Sequence, residues 1–331
     1  MKLGAYTACL HDHELTEALD ILAGLGLTSV EVNAGGFIGT PHIPVHRLLA
    51  DPSGADAYLA EYAQRGLTLT GVNANGNPLH PDPEIHHGTD LHRAIEVAGI
   101  LGVKRVVSMS GLPHAHPGAM TPSWVVNPWD SGALDVLEYQ WHEVALPYWQ
   151  DIETRAAAAD VKVCIEMHPQ NLVFNPTTLK RLVDLVGSSH IGAEMDPSHL
   201  FWQGIDPVAA VEWLGPLVYH AAAKDTRIND ACRIHGVLDD RFTRIPAEEN
   251  PLGLGGRYTV TQWPQGDPAW EFVAVGNGHD HAFWVNFLTA LHKVDPNMAV
   301  NIEHEDQSLG QVEGLTLAAT NLIAAGAAAG V

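Results

Sequence analysis

The chain has 331 residues, longer than most single domains, and is 46% hydrophobic and 17% charged, the composition of a folded protein with a large core rather than of a disordered one. Its 39 acidic and 17 basic residues give a formal charge of −22 with no Lys/Arg-rich run, which argues against nucleic acid as a partner. The weakly polar end, 315–331, is Ala- and Gly-rich, too short and small-sided for a bilayer span, and the start MKLGAYTACL lacks the charged and long apolar regions of a signal peptide. A cytoplasmic protein without a membrane partner is the expectation.

Cys9, Cys164 and Cys232 lie far apart with no CxxC pair, which removes zinc-ribbon and thioredoxin-like readings and leaves reduced, structural thiols. The 20 histidines stand out, because imidazole both titrates near neutrality and binds transition metals.

In chain order, short β-branched runs are each followed by a stretch of helical periodicity. The spacing predicts strands at 2–7, 29–33, 68–73, 105–109, 162–167, 190–195, 218–222 and 298–302. Helices are predicted at 13–25, 44–65, 87–101, 133–159, 176–187, 206–214, 281–293 and 309–328. Eight β→α units in a row favour an α/β fold closed as a (β/α)₈ TIM barrel, one domain over 1–331. An open doubly wound sheet is the competing arrangement. It would leave two edges to cover, and ACLHDHEL after the first strand lacks a dinucleotide-type glycine fingerprint. Long loops follow the fourth and seventh strands, the second an inserted region at about 227–280 rich in turn formers and aromatics, as expected of a lid or an interface.

In such a barrel the reactive groups come from the C-terminal strand ends. The fifth, VKVCIEMHP, ends in Glu166 with His168 on the same face; the sixth, HIGAEMDPSHL, delivers Asp196 and His199. The seventh, LVYHAAAKDT, carries His220 and Lys224, and the eighth, AVNIEHED, ends in Glu303 followed by His304, Glu305 and Asp306. Converging carboxylates repel one another unless a cation sits between them. Oxygen ligands with one imidazole suit one divalent metal, Mn²⁺ first, with Mg²⁺ or Co²⁺ as alternatives.

IEMHP, EMDPSHL, HAAAKDT and VNIEHED, taken in order, resemble the strand-end motifs of the sugar phosphate isomerase/epimerase family of xylose isomerase-like barrels, and the resemblance spans nearly the whole chain. It implies that Glu166, Asp196 and Glu303 ligate the metal, that Glu166 and Glu303 form the acid/base pair and that His199 orients substrate oxygens. Many relatives carry a histidine two residues before the Lys-Asp of the seventh strand. Here that position is Ala222, so His220, one strand period earlier, is the candidate fourth ligand and His168 the other; His168 is also a catalytic candidate. Lys224, Asn33, Asn75 and His80 are candidate substrate contacts, with Asn73 beside them, although NANGNP also suits a tight turn. Trp129, Trp141, Trp202 and Trp263 are candidates for the pocket wall or for plain core.

The chemistry implied is proton abstraction next to a sugar carbonyl to give an enediolate, followed by epimerisation or isomerisation. The alternative is elimination from an oxidised C-glycoside, as the catalytic subunit of a C-glycoside deglycosidase with a small partner subunit. The partner expected is thus a small-molecule sugar or glycoside, with the chain in a homo-oligomer or paired with that subunit. Two other classes compete. Apurinic endonucleases of this barrel type need extra ligands and a basic groove, neither of which the sequence offers; a non-catalytic sugar-binding barrel predicts no turnover.

Overall fold

The computed structural model describes residues 1–244, 261–262, 264 and 266–331. In chain order its strands are β1 (Lys2–Tyr6), β2 (Ser29–Asn33), β3 (Thr68–Asn73), β4 (Arg105–Met109), β5 (Lys162–Glu166), β6 (Ile191–Met195) and β7 (Val218–Ala223). After these come β8 (Asp225–Ile228), β9 (Thr243–Arg244), β10 (Thr261–Gln262), β11 (Trp270–Val273) and β12 (Ala299–Ile302). β1 to β7 and β12 are parallel neighbours in a closed eight-stranded barrel, β12 pairing with both β1 and β7. Closure removes both edges that an open sheet would have exposed, so the (β/α)₈ expectation holds. The barrel strand ends fall within a residue of those predicted.

The helices pack their apolar stripes on the outside of the barrel. Pro176–Val186 shows why the sequence starts one there: Asn175 caps it by accepting from the Thr178 N–H at 3.0 Å, Pro176 pre-sets the first turn, and Leu179, Leu182 and Val183 face the core. Two predicted helices are interrupted. The stretch 44–65 breaks at Asp51–Pro52 into Val45–Ala50 and Ala55–Ala63, because proline cannot continue the ladder. The stretch 133–159 contains a π-helical segment, Tyr139–Ala145, between Ser131–Glu138 and Leu146–Ala159. That wider turn brings Gln140 to the carbonyls of Pro113, His114 and Ser123, tying down the long loop after β4.

The final helix, Gln311–Ala329, begins before the 315–331 stretch and by length and composition alone reaches the size of a membrane span. In the fold it is the last helix of the barrel, with Leu315, Ala318, Leu322 and Ala325 buried in the core. Asp225 anchors the insertion after β7. Its carboxylate accepts from the backbone N–H of Thr226, Gly276, Gly278 and His279 and contacts His279 Nδ1 at 2.8 Å, while β11 pairs antiparallel with β8. All three cysteines are free.

Candidate active site at the barrel mouth

Glu166 closes β5, Asp196 directly follows β6 and Glu303 directly follows β12, so three strand ends deliver three carboxylates to one point. One oxygen from each lies within 4.8 Å of the other two. Asn75 Nδ2 donates to Glu166 Oε2, and the Asn75 N–H donates to Asn73 Oδ1 at 2.7 Å, so the loop after β3 aims the amide. Asp196 is held by the Ser198 N–H at 2.8 Å and its hydroxyl at 2.9 Å, a turn built from the local Asp-Pro-Ser sequence. Lys224 Nζ, buried, lies 3.0 Å from both Glu303 Oε1 and Glu305 Oε2 and 4.4 Å from the centre of the Phe272 ring.

His199 Nε2 lies 3.3 Å from Glu166 Oε1 and 3.5 Å from Asp196 Oδ2. Its ring is clasped between His168, with centroids 4.2 Å apart, and Phe272, at 5.5 Å. His168 Nδ1 lies 2.7 Å from the Pro169 carbonyl; a carbonyl can only accept, so the neutral ring keeps its lone pair on Nε2. Glu166, His168 and His199 also offer one ligand atom each within 4.8 Å of one another.

The shared burial drives these groups apart electrostatically. Burial alone would raise Glu166, but the His199 contact and the charges of His168, His199 and Lys224 outweigh it and bring the carboxyl down to about 2. Burial pushes Asp196 up to about 7, helped by Glu166 and opposed by Lys224. Glu303 goes up by burial and by Glu166, against the pull of Lys224. Burial lowers His199 to about 3, with His168 adding to the fall. One carboxyl is thus held low while burial pushes its two neighbours up.

His220, expected as the fourth ligand, is not brought to these carboxylates. Its parity does turn it inward, but two residues down a strand is roughly 6–7 Å lower, below the mouth. There its Nε2 lies 2.6 Å from Glu31 Oε2, and Glu31, Glu194 and His220 form a separate buried group whose ligand atoms lie within 4.8 Å of one another. Asn33 Nδ2 donates to the Tyr6 hydroxyl at the ends of β1 and β2. His80 is engaged by its own loop, its Nδ1 accepting from the Asp82 N–H at 3.1 Å. Lys224 sits against acids rather than open to the pocket. Glu31, Glu194, Tyr6 and Phe272 were not singled out from the sequence; the available signal for the two acids was a carboxylate inside an otherwise apolar strand, SVEVN and IGAEM.

Beside the carboxylates opens a cavity of about 440 Å³ lined by His168, His199, Trp124, Trp202, Trp270 and Phe272. The Trp202 and Trp270 indoles stack 5.3 Å apart and 5° from parallel. Of the other tryptophans expected there, Trp141 is core, Trp129 is exposed and Trp263 lies outside the described residues.

Known proteins resemble this chain in sequence or in fold. The uncharacterized protein YfiH of Bacillus subtilis is 33% identical over 320 residues, covering 95% of this chain and 96% of that protein. The solved structure of 3-keto-D-glucoside 4-epimerase, YcjR, from E. coli superposes with a TM-score of 0.60 at 13% identity, over 98% of both chains. That of the IolI protein with a bound zinc atom gives 0.60 at 18%, over 99% of this chain and 98% of that one. The family model described as xylose isomerase-like TIM barrel matches residues 19–325, nearly the whole barrel whose strand ends carry Glu166, Asp196 and Glu303, and the chain belongs to that family.

Proposed function

We propose that the protein is a divalent-metal-dependent sugar isomerase or epimerase that moves a proton next to a carbonyl. The observation that carries this reading is the convergence of Glu166, Asp196 and Glu303 oxygens within 4.8 Å at the mouth of the barrel. The residues fit one divalent ion: two buried acids and the half-buried Glu303 supply charge, and His199, whose ring nitrogens are both buried without an aligned hydrogen-bond partner, can add an imidazole. Mn²⁺ suits such an oxygen-rich set best, with Mg²⁺ or Co²⁺ next. A bound ion supplies Lewis-acid stabilisation of negative charge developing on a substrate oxygen.

The rest falls to the protein's own side chains. Glu166, steered by Asn75, accepts the proton; Glu303 returns one; His168 offers Nε2 to a substrate hydroxyl. Lys224 sets the charge of Glu303 by its 3.0 Å contact. Asn33 and Asn75 are the proposed amide contacts to hydroxyls at the mouth. Similarity to a 3-keto-D-glucoside 4-epimerase in fold agrees with sugar as the substrate class.

The stacked indoles favour one further reading, a glycoside whose second group rests on an apolar wall, cleaved by elimination with a small partner subunit. Incubating the purified protein with Mn²⁺ and a panel of free ketoses and 3-keto glycosides in D₂O tests both. Deuterium at a carbon next to the carbonyl is the expected NMR signal, and Glu303→Gln is expected to lower turnover by about 10²-fold or more. Loss of neither activity nor bound metal in that variant would sink the proposal.

A further inference from the structure

Below the mouth the barrel interior is polar where branched apolar side chains normally fill it. Glu31 of β2, Glu194 of β6 and His220 of β7 are each at most 3% exposed, and their ligand atoms lie within 4.8 Å of one another. Glu31 is held from the sides, its Oε1 accepting from Asn73 Nδ2 at 2.8 Å and its Oε2 from Asn301 Nδ2 at 3.2 Å, while Asn301 Oδ1 accepts from Ser29 at 2.7 Å. Glu194 is not held: its Oε2 is buried with no hydrogen-bond partner, though it belongs to the same close group. Such an atom costs several kcal/mol unless something supplies positive charge or a donor, and a native protein rarely tolerates it without purpose.

The backbone bends to make this group. Among the described barrel pairings, the register shifts fall between Val30 and Glu31, where Glu31 comes to pair with Gly71, and between Ala193 and Glu194, where Glu194 comes to pair with His220. Bulges of this kind re-aim side chains and recur beside functional sites.

We propose that the barrel holds a second divalent cation, of the first-row kind bound by carboxylate and imidazole, between Glu31, Glu194 and His220 beneath the mouth site. Two carboxylates balance its charge. His220 reaches it with Nε2 by giving up the 2.6 Å contact to Glu31, and Asn73 and Asn301 act as the outer hydrogen bonds that aim a metal-binding carboxylate. The site is distinct from the mouth group, with which it shares no residue, and its route of entry is from above, past Asp196 two residues along the same strand.

The test uses full-length protein produced with Mn²⁺ in the medium and exchanged into Mn²⁺ or Zn²⁺ buffer. Metal analysis is expected to give about two equivalents per chain, and anomalous diffraction at the metal edge a peak among Glu31, Glu194 and His220. Glu194→Gln and, separately, Glu31→Gln are expected to lose one equivalent, keep the other and retain the wild-type circular dichroism, with inner-site affinity down at least about 10-fold. An anomalous map of the wild type with density only at Glu166, Asp196 and Glu303 overturns the inference, as does an unchanged metal count in a folded Glu194→Gln. A peak at the inner group with none at the mouth would instead sink the proposed function and leave this one standing.

Discussion

Asn75 shows how one amide conditions the candidate chemistry. Its Nδ2 fixes Glu166 Oε2 while its own backbone is fixed by Asn73, so Asn75→Ala removes one of the groups that orient the carboxylate and leaves its Oε1 side to His199. Turnover is expected to fall about 10- to 100-fold with the fold intact, checked by steady-state kinetics beside circular dichroism. His42 tests a different balance. It is buried, Nε2 2.8 Å from the His13 carbonyl and Nδ1 2.9 Å from the Thr7 hydroxyl, contacts the neutral ring makes as donor and acceptor, and burial lowers its pKa. With the folded value below the unfolded one, its stabilisation is complete above about 6.5 and is lost as pH falls through the folded value. The gap in melting temperature between wild type and His42→Gln should therefore shrink from pH 7.5 to 5.5; a constant gap would refute it.

At the scale of elements, the close approach of the last helix to the loop after β12 depends on Gly314. A Cβ there would lie 1.9 Å from His304 Cε1, so the imidazole packs where any other residue's side chain would start. Gly314→Ala is expected to cost on the order of 1–3 kcal/mol by overpacking, read by urea denaturation, despite alanine's better helix propensity. Adding His304→Ala should recover part of that loss, a coupling that independent sites would not show. The helices broken at Pro52 and at Tyr139–Ala145 mark the limit of periodicity: the first break has a local cause in proline, the second serves Gln140's contacts to a loop some twenty residues earlier.

Across the whole molecule, a single buried carboxylate couples barrel to insertion. Asp225 gathers four backbone N–H groups, three of them from 276–279, where the chain returns to the barrel. Asp225→Ala would strand those donors at a cost of roughly 3 kcal/mol. Faster proteolytic cleavage within 227–280, with the barrel's far-ultraviolet dichroism retained, is the expected outcome; cleavage at the wild-type rate would show that the anchor lies elsewhere. Because β11 carries Phe272 and Trp270, loosening this anchor should also disturb the wall beside His199.

The sequence by itself determined the eight β→α units and the three acids at their ends, since period-two and period-3.6 patterns and the position just past a strand are local properties. Glu166, Asp196 and Glu303 were legible for that reason. The height of His220, its pairing with Glu31, the unheld Glu194 and the wall formed by Phe272 were decided only in the tertiary structure. Which layer an inward residue occupies depends on the stagger between strands distant in sequence, here altered at Glu31 and Glu194, and no local pattern records that register.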